Sequence, residues 1–230
     1  MRIVIFGANG ATGRLLTRQA LDAGHSVVAV TRHPETFPIT GAALTVAEAD
    51  VRDADAVTAA VDGADAVLST LGVTFTMDPV DTYSIGVGNI VTAMRRTGVE
   101  RLSVVSSTAI ADYPGRTGTP FALRLVQPVI SRIFGRTLYA DMRRMEDIVA
   151  ASGLNWTIVR PSGLFDLPNV TDYIAGQCDP VGAFTSRTDL ADYLLKLANS
   201  PETGATVTVS TTVDTPSMWQ LLRREALKSA

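Results

Sequence analysis

One cysteine, Cys178, and two histidines are all that this 230-residue chain offers to a disulfide or to nitrogen–sulfur metal ligation. A single cysteine excludes an intrachain disulfide and suits a reducing compartment. His25 and His33 read as loop residues, and neither has metal-ligand spacing. An excess of basic residues is also missing: the formal net charge is −3. Nothing therefore favours nucleic acid or an anionic membrane surface as a partner. No apolar run approaches the roughly eighteen residues of a membrane span. Met1 leads almost directly into an apolar strand, without the basic start and longer apolar stretch of a signal peptide, so a cytoplasmic protein is expected. There is no repeat, low-complexity tract or domain linker. What remains is an ordinary globular balance, 46% hydrophobic and 19% charged. That balance suits one domain over residues 1–230, long enough to bury a sizeable core.

Short apolar runs alternate with helical patterns through the first two thirds. Strands are expected over Ile3 to Phe6, Ser26 to Thr31, Leu44 to Ala49, Asp65 to Leu71, Arg101 to Ser106 and Trp156 to Val159. Helices are expected over Thr12 to Ala23, Asp53 to Val61, Thr82 to Thr97 and Met142 to Ala151. The strands are nearly continuous in apolar character, as strands covered on both faces should be. The fold class is α/β, a Rossmann-type, doubly wound, mainly parallel sheet with a small C-terminal region on the substrate side. The last third adds a helix within FTSRTDLADYLLKLANSPETG, with Thr188 or Asp189 near its start, a late strand in TVTVST, and a C-terminal helix with Pro216 suited to its first turn. Substrate-side elements are expected at about residues 109–136 and 162–190.

The opening run MRIVIFGANGATGRLLTRQALDAG carries Gly7, Gly10 and Gly13 between a strand and a helix. Such a turn makes an anion site: the helix start presents unpaired N–H groups and the positive end of its dipole, and glycines allow close approach of a pyrophosphate. The spacing is GxxGxxG rather than GxGxxG. The end of the second strand selects the cofactor. An acid there would grip the ribose 2′-hydroxyl of NAD. The chain has Thr31-Arg32-His33 instead, and Arg32, with Arg14 as a possible second charge, offers a fork for a 2′-phosphate. NADP(H) is the expected cofactor; the plainer alternative is that Arg32 is a surface arginine. Asp50 and Val51, after the third strand, are placed to meet the adenine, with Asp50 equally suited to cap the next helix. Thr70, Leu71 and Gly72 follow the fourth strand, where a small residue lets backbone approach the cofactor.

GANGATG, the arginine after the second strand, EADVRD, STLG, VVSSTA and SGLNWTIVRPSGL together resemble the atypical short-chain dehydrogenase/reductases. Within them the chain is similar to the NAD(P)H-binding, NmrA-like subset and to the biliverdin-IXβ reductase/flavin reductase group, over nearly its whole length. The resemblance implies NADP lying across the strand ends with a substrate pocket above the nicotinamide. It places Gly7, Asn9, Gly10, Ala11, Thr12 and Gly13 in the phosphate loop and Arg32 at the 2′-phosphate. Asp50 and Val51 fall at the adenine, and Leu71 and Gly72 beside the ribose. Ser106, Ser107 and Thr108 fall where the family has a hydroxyl near the nicotinamide, and Pro161 and Ser162 where it lines nicotinamide and substrate. Where the biliverdin reductase group has a histidine, this chain has Ser162.

Carbonyl reduction requires a proton donor. Typical short-chain dehydrogenases supply one from a tyrosine with a lysine four residues later. Here the matching stretch is Tyr139 with Arg143, and arginine cannot relay a proton. A conjugated acceptor such as a flavin, quinone or linear tetrapyrrole spreads the incoming charge and needs only a weak donor. Proximity and stacking would then carry catalysis, with Ser107, Thr108 and Tyr139 as candidate catalytic groups. Tyr113 and Phe121 could stack on a flat acceptor, and Arg124, Arg132 or Arg136 could attract its carboxylates or phosphate. The reading is a reductase of a small conjugated acceptor, monomeric or homodimeric. A non-catalytic redox sensor acting through a protein partner is the alternative, and a nucleotide-sugar epimerase a weaker third.

Overall fold

The computed structural model describes residues 1–73, 76, 78–119 and 136–216. The expected C-terminal helix beyond Pro216, and Phe121, Arg124 and Arg132, lie outside these residues. Strand β1 (Arg2–Phe6) shows why the sheet is two-sided. Its side chains alternate across the pleat, and all four after Arg2 are buried: Ile3 and Ile5 in one apolar cluster, Val4 and Phe6 in the other. Around it run β2 (Ser26–Thr31), β3 (Leu44–Glu48), β4 (Ala66–Ser69), β5 (Arg101–Val105), β6 (Asn155–Pro161) and, from late in the chain, β10 (Ala205–Ser210). The sheet order is β3-β2-β1-β4-β5-β6-β10, all parallel, and a short antiparallel strand, β8 (Ile174–Gly176), closes the β10 edge. Two further short strands, β7 (Gly163–Phe165) and β9 (Phe184–Ser186), pair with each other in parallel beside the sheet.

One face is covered by α2 (Ala54–Val61), α3 (Thr82–Thr97) and α4 (Arg136–Ala150), packed through Val57, Ile90, Met94 and Met145. The other is covered by α1 (Ala11–Asp22) and α5 (Arg187–Leu197), packed through Leu16, Leu190 and Leu194. The Rossmann-type expectation holds, and two details differ. Strand β3 is not covered on both faces: it is the sheet edge, and Thr45, Val46 and Glu48 are exposed. Helix α4 begins at Arg136, earlier than the apolar periodicity alone placed it.

The helix ends follow local chemistry. The Asp53 carboxylate accepts from the amides of Asp55 and Ala56 at 3.0 Å, so Asp53, not Asp50, caps α2. Ser186 Oγ caps α5 by accepting from Thr188 N at 3.1 Å, and Thr188 and Asp189 fall in the first turn. Gly98, at φ +73°, ends α3 in the left-handed conformation that glycine adopts without penalty. The sheet order reverses between β1 and β4, which opens a crevice at the carboxyl ends of the strands.

Candidate cofactor and acceptor site

A cleft of about 570 Å³ lies at that crevice. Its floor is the β1–α1 loop. Gly7 turns there at φ +74°, and a Cβ on it would stand 2.7 Å from the Thr70 carbonyl oxygen. A Cβ on Gly13 would overlap the Gly7 carbonyl oxygen and come within 2.8 Å of Ala8 Cα, so α1 can sit against the loop only with glycine at this position. Gly10 caps α1 without a side chain, and no acid occupies the first turn. The helix start therefore meets the cleft as bare amides, with Gly10, Ala11 and Thr12 in the wall. This cradle fits a pyrophosphate: it has donors, space and no competing negative charge. Asn9 also lines it, and its amide oxygen accepts from Arg14 Nε and Nη2 at 3.0 and 2.7 Å. Arg14 thus braces the loop through Asn9.

Among the described residues three arginines line the cleft: Arg32, Arg52 and Arg187. Arg52 is paired with Asp81, and Arg187 Nη1 meets Asp166 Oδ1 at 2.7 Å. The Arg52 hydrogen bond holds the Asp81 carboxyl below its ordinary range and raises the arginine in return. Arg32 is exposed at the end of β2, and no carboxylate among the described residues pairs with it. Asp50 and Val51 form the next part of the wall. Asp50 Oδ1 accepts from Arg52 N at 2.9 Å, and Asn89 Nδ2 donates to the Val51 carbonyl at 2.8 Å, so an α3 side chain pins the segment. Gly86 was not singled out from sequence, yet a Cβ there would reach Val51 Cγ2 at 2.8 Å and Leu71 Cδ1 at 3.2 Å; its absence lets α3 close the cleft side. Thr70, Leu71 and Gly72 line the cleft as expected, and Thr70 Oγ1 donates to the Phe6 carbonyl at 3.0 Å. Tyr83, missed by the sequence reading, also lines it; burial pushes its phenol above the ordinary value, while its oxygen accepts from Val73 N at 3.3 Å.

At the far end stand the residues after β5 and β6. Ser106 lines the cleft; its Oγ is buried and has no hydrogen-bond partner among the described residues. Ser107 Oγ accepts from Ala109 N at 3.1 Å, which caps a single 3₁₀ turn. Thr108 is 3% exposed, and its Oγ1 accepts from Arg116 Nη2 at 2.9 Å. The same Nη2 donates to Ser162 Oγ at 2.8 Å. Ser162 N donates to Thr185 Oγ1 at 2.9 Å, so β9 fixes the residue that follows Pro161 at the end of β6. The two predicted substrate-side segments do meet: besides Arg116 and Ser162, Gly182 N donates to Thr117 O at 2.7 Å. Tyr139 is half-buried against the α2–α4 cluster, where Tyr83 and Met142, rather than Tyr139, face the cleft. Arg143 Nε and Nη2 donate to the Ile110 carbonyl at 3.3 and 3.1 Å. Arg136 is exposed at the start of α4. Arg116 itself was not foreseen. No spacing rule marks an arginine in an irregular Pro- and Gly-rich stretch.

Among the described residues there is no His, Cys, Asp and Glu cluster suited to a metal ion, and no helix long and apolar enough to cross a membrane. An uncharacterized protein of Mycobacterium tuberculosis is 39% identical over 108 residues, which is 46% of this chain but only 12% of that protein's length. A short-chain dehydrogenase/reductase from Veillonella parvula, solved in complex with NADP, superposes with TM-score 0.76 at 21% identity over 94% of this chain and 99% of its own. ChuY, an anaerobillin reductase from Escherichia coli O157:H7, superposes with TM-score 0.72 at 22% identity over 94% and 100%. At these identities the two structures establish the shared fold. The family described as NAD(P)H-binding matches residues 7–201, the span from the first glycine of the loop to the end of α5 and beyond, and the chain belongs to that family.

Proposed function

We propose that this protein is an NADPH-dependent reductase that delivers hydride to a small conjugated acceptor of flavin, quinone or tetrapyrrole type. The observation that carries this reading is the make-up of the cleft end beside β5 and β6. Ser106 lines it, and the hydroxyls of Thr108 and Ser162 and the guanidinium of Arg116 stand beside it, while Arg143, in the place of the usual lysine, is committed to the Ile110 carbonyl. Such a set orients an acceptor and donates hydrogen bonds; it does not supply a strong general acid. An acceptor that spreads charge over a conjugated system suits it. The dinucleotide, when bound, supplies the hydride. Gly10, Ala11 and Thr12 would hold the pyrophosphate at the α1 start, and Arg32 would pair with the 2′-phosphate. Asp50 and Val51 would meet the adenine, and Leu71 and Gly72 would flank the ribose. Ser106 Oγ, buried and without a partner among the described residues, would donate to the carboxamide or the acceptor. The likeness to an anaerobillin reductase supports a flat, conjugated acceptor, and a place in the NmrA-like or flavin reductase branch is part of the same proposal. Assembly as a monomer or homodimer in the cytoplasm completes it.

The test follows NADPH absorbance with riboflavin, a naphthoquinone and a linear tetrapyrrole, for the native chain and for Arg32→Ala. Oxidation above the enzyme-free rate with at least one acceptor is expected, together with a KM for NADPH raised by roughly tenfold in the variant, the scale of one charge-assisted contact. Tight NADPH binding without turnover of any acceptor would select the redox-sensor reading instead.

A further inference from the structure

We propose that Arg116, with the hydroxyls of Thr108 and Ser162, forms a carboxylate-binding subsite, so that the acceptor is an anionic conjugated molecule. This deepens the reductase reading and rests on it. The side chain of Arg116 is half-buried, and burial lowers its guanidinium from the ordinary value. No carboxylate among the described residues pairs with it, whereas the other half-buried guanidinium near this end, Arg160, is matched by Glu146. Buried positive charge without a counter-ion is costly, and proteins keep it where an anion arrives.

Hydrogen-bond polarity adds a second, independent argument. Arg116 Nη2 occupies a lone pair on Thr108 Oγ1 at 2.9 Å and on Ser162 Oγ at 2.8 Å. A hydroxyl that accepts in this way has its own proton left to donate, and neither oxygen has an acceptor among the described residues. Arg116 Nε is buried and has no partner among the described residues. The cluster is therefore all donors around one positive charge, the complement of a carboxylate, which is all acceptors. Its position also matters. Thr108 stands two residues beyond Ser106, and Ser162 two residues before Leu164, and both Ser106 and Leu164 line the cleft. Arg116, Thr108 and Ser162 do not themselves line the cleft; the cluster stands beside the end marked by Ser106 and Leu164 rather than the end marked by Asp50 and Val51. A carboxylate anchored there would fix the in-plane orientation of a conjugated ring whose stacking alone leaves it free to turn.

Two measurements separate this proposal from the reductase reading. In the first, benzoate is titrated into the NADP⁺-saturated protein and followed by calorimetry, with no turnover involved. Binding that weakens roughly tenfold or more in Arg116→Met, and recovers in part in Arg116→Lys, is expected. No benzoate binding, or equal binding in native chain and Arg116→Met, overturns the subsite whether or not the protein is a reductase. The second compares a naphthoquinone with its carboxylate-bearing analogue. The native preference, read as the ratio of kcat/KM values, should fall roughly tenfold in Arg116→Met. Ser162→Ala, a smaller change, should lower the same ratio by about threefold, and an unchanged ratio in both variants overturns the proposal.

Discussion

At the residue scale, the cofactor cradle depends on what Gly7 and Gly13 omit. Gly13 has no room for even one methyl: the overlap is with the Gly7 carbonyl and the Ala8 backbone, not with the end of a flexible side chain. Gly13→Ala should therefore move the loop or the start of α1 and weaken NADP⁺ binding by at least about tenfold in a calorimetric titration, given that displaced amides lose their aim. Gly72, where a Cβ would meet nothing within 4 Å, supplies the contrast, since alanine there adds no overlap within the protein. The Arg52–Asp81 pair gives a pH prediction. Its folded-state carboxyl lies below the ordinary value of 3.8, first through the Arg52 hydrogen bond. A depressed carboxyl contributes stability that is present above the unfolded value and disappears as pH falls through the folded one. Both side chains are about half exposed, at 46% and 51%, so the contribution is small. An NMR titration should place the Asp81 midpoint below 3.8 and return it toward that value in Arg52→Ala.

At the element scale, α3 and α4 are joined through one carboxylate. Asp141 on α4 is fully buried, accepts from Tyr83 N at 2.8 Å and Ser84 N at 3.3 Å, and is bonded to Ser84 Oγ and Arg144. Asp81 stands at the N-cap position of α3 but makes no side-chain cap, so Asp141 supplies from a neighbouring helix what the local sequence does not. Asp141→Ala removes the side-chain acceptor of the Tyr83 and Ser84 amides and should cost about 2–4 kcal/mol in urea unfolding, the scale of several lost hydrogen bonds to a charged group. This cap also shows where sequence reading stops. The apolar periodicity of α3 gave its bounds, Thr82–Thr97, because packing period is a local property. The GxxGxxG loop and the place of Arg32 at the cleft were legible for the same reason: strand, turn and helix follow one another in the chain. Asp141, Arg116, Gly86 and the paired strands β7 and β9 were not legible, because each acquires its role from a segment tens of residues away. Thr108 and Ser162 were named from the family likeness, but the guanidinium that joins them has no counterpart in any spacing pattern.

At the scale of the whole molecule, a chain of net charge −3 and isoelectric point near 5.4 must hold a ligand that is itself strongly anionic. The overall field does not help, so the attraction has to be local: the α1 amides and the one cleft arginine without an acidic partner among the described residues, Arg32. Binding to the folded state alone then stabilises the entire domain by mass action, about 2.7 kcal/mol at a free ligand concentration of 100 times Kd. For a domain of this size each kcal/mol raises Tm by roughly 2–4 °C. Thermal unfolding with NADP⁺ at that concentration should therefore shift upward by roughly 5–10 °C. NAD⁺ at the same concentration should give a clearly smaller shift, because it brings no 2′-phosphate to Arg32. In Arg32→Ala the two cofactors should converge, with the NADP⁺ shift falling toward that of NAD⁺. Equal shifts from both cofactors in the native chain would remove Arg32 from the selection of the phosphorylated form while leaving the amide cradle in place.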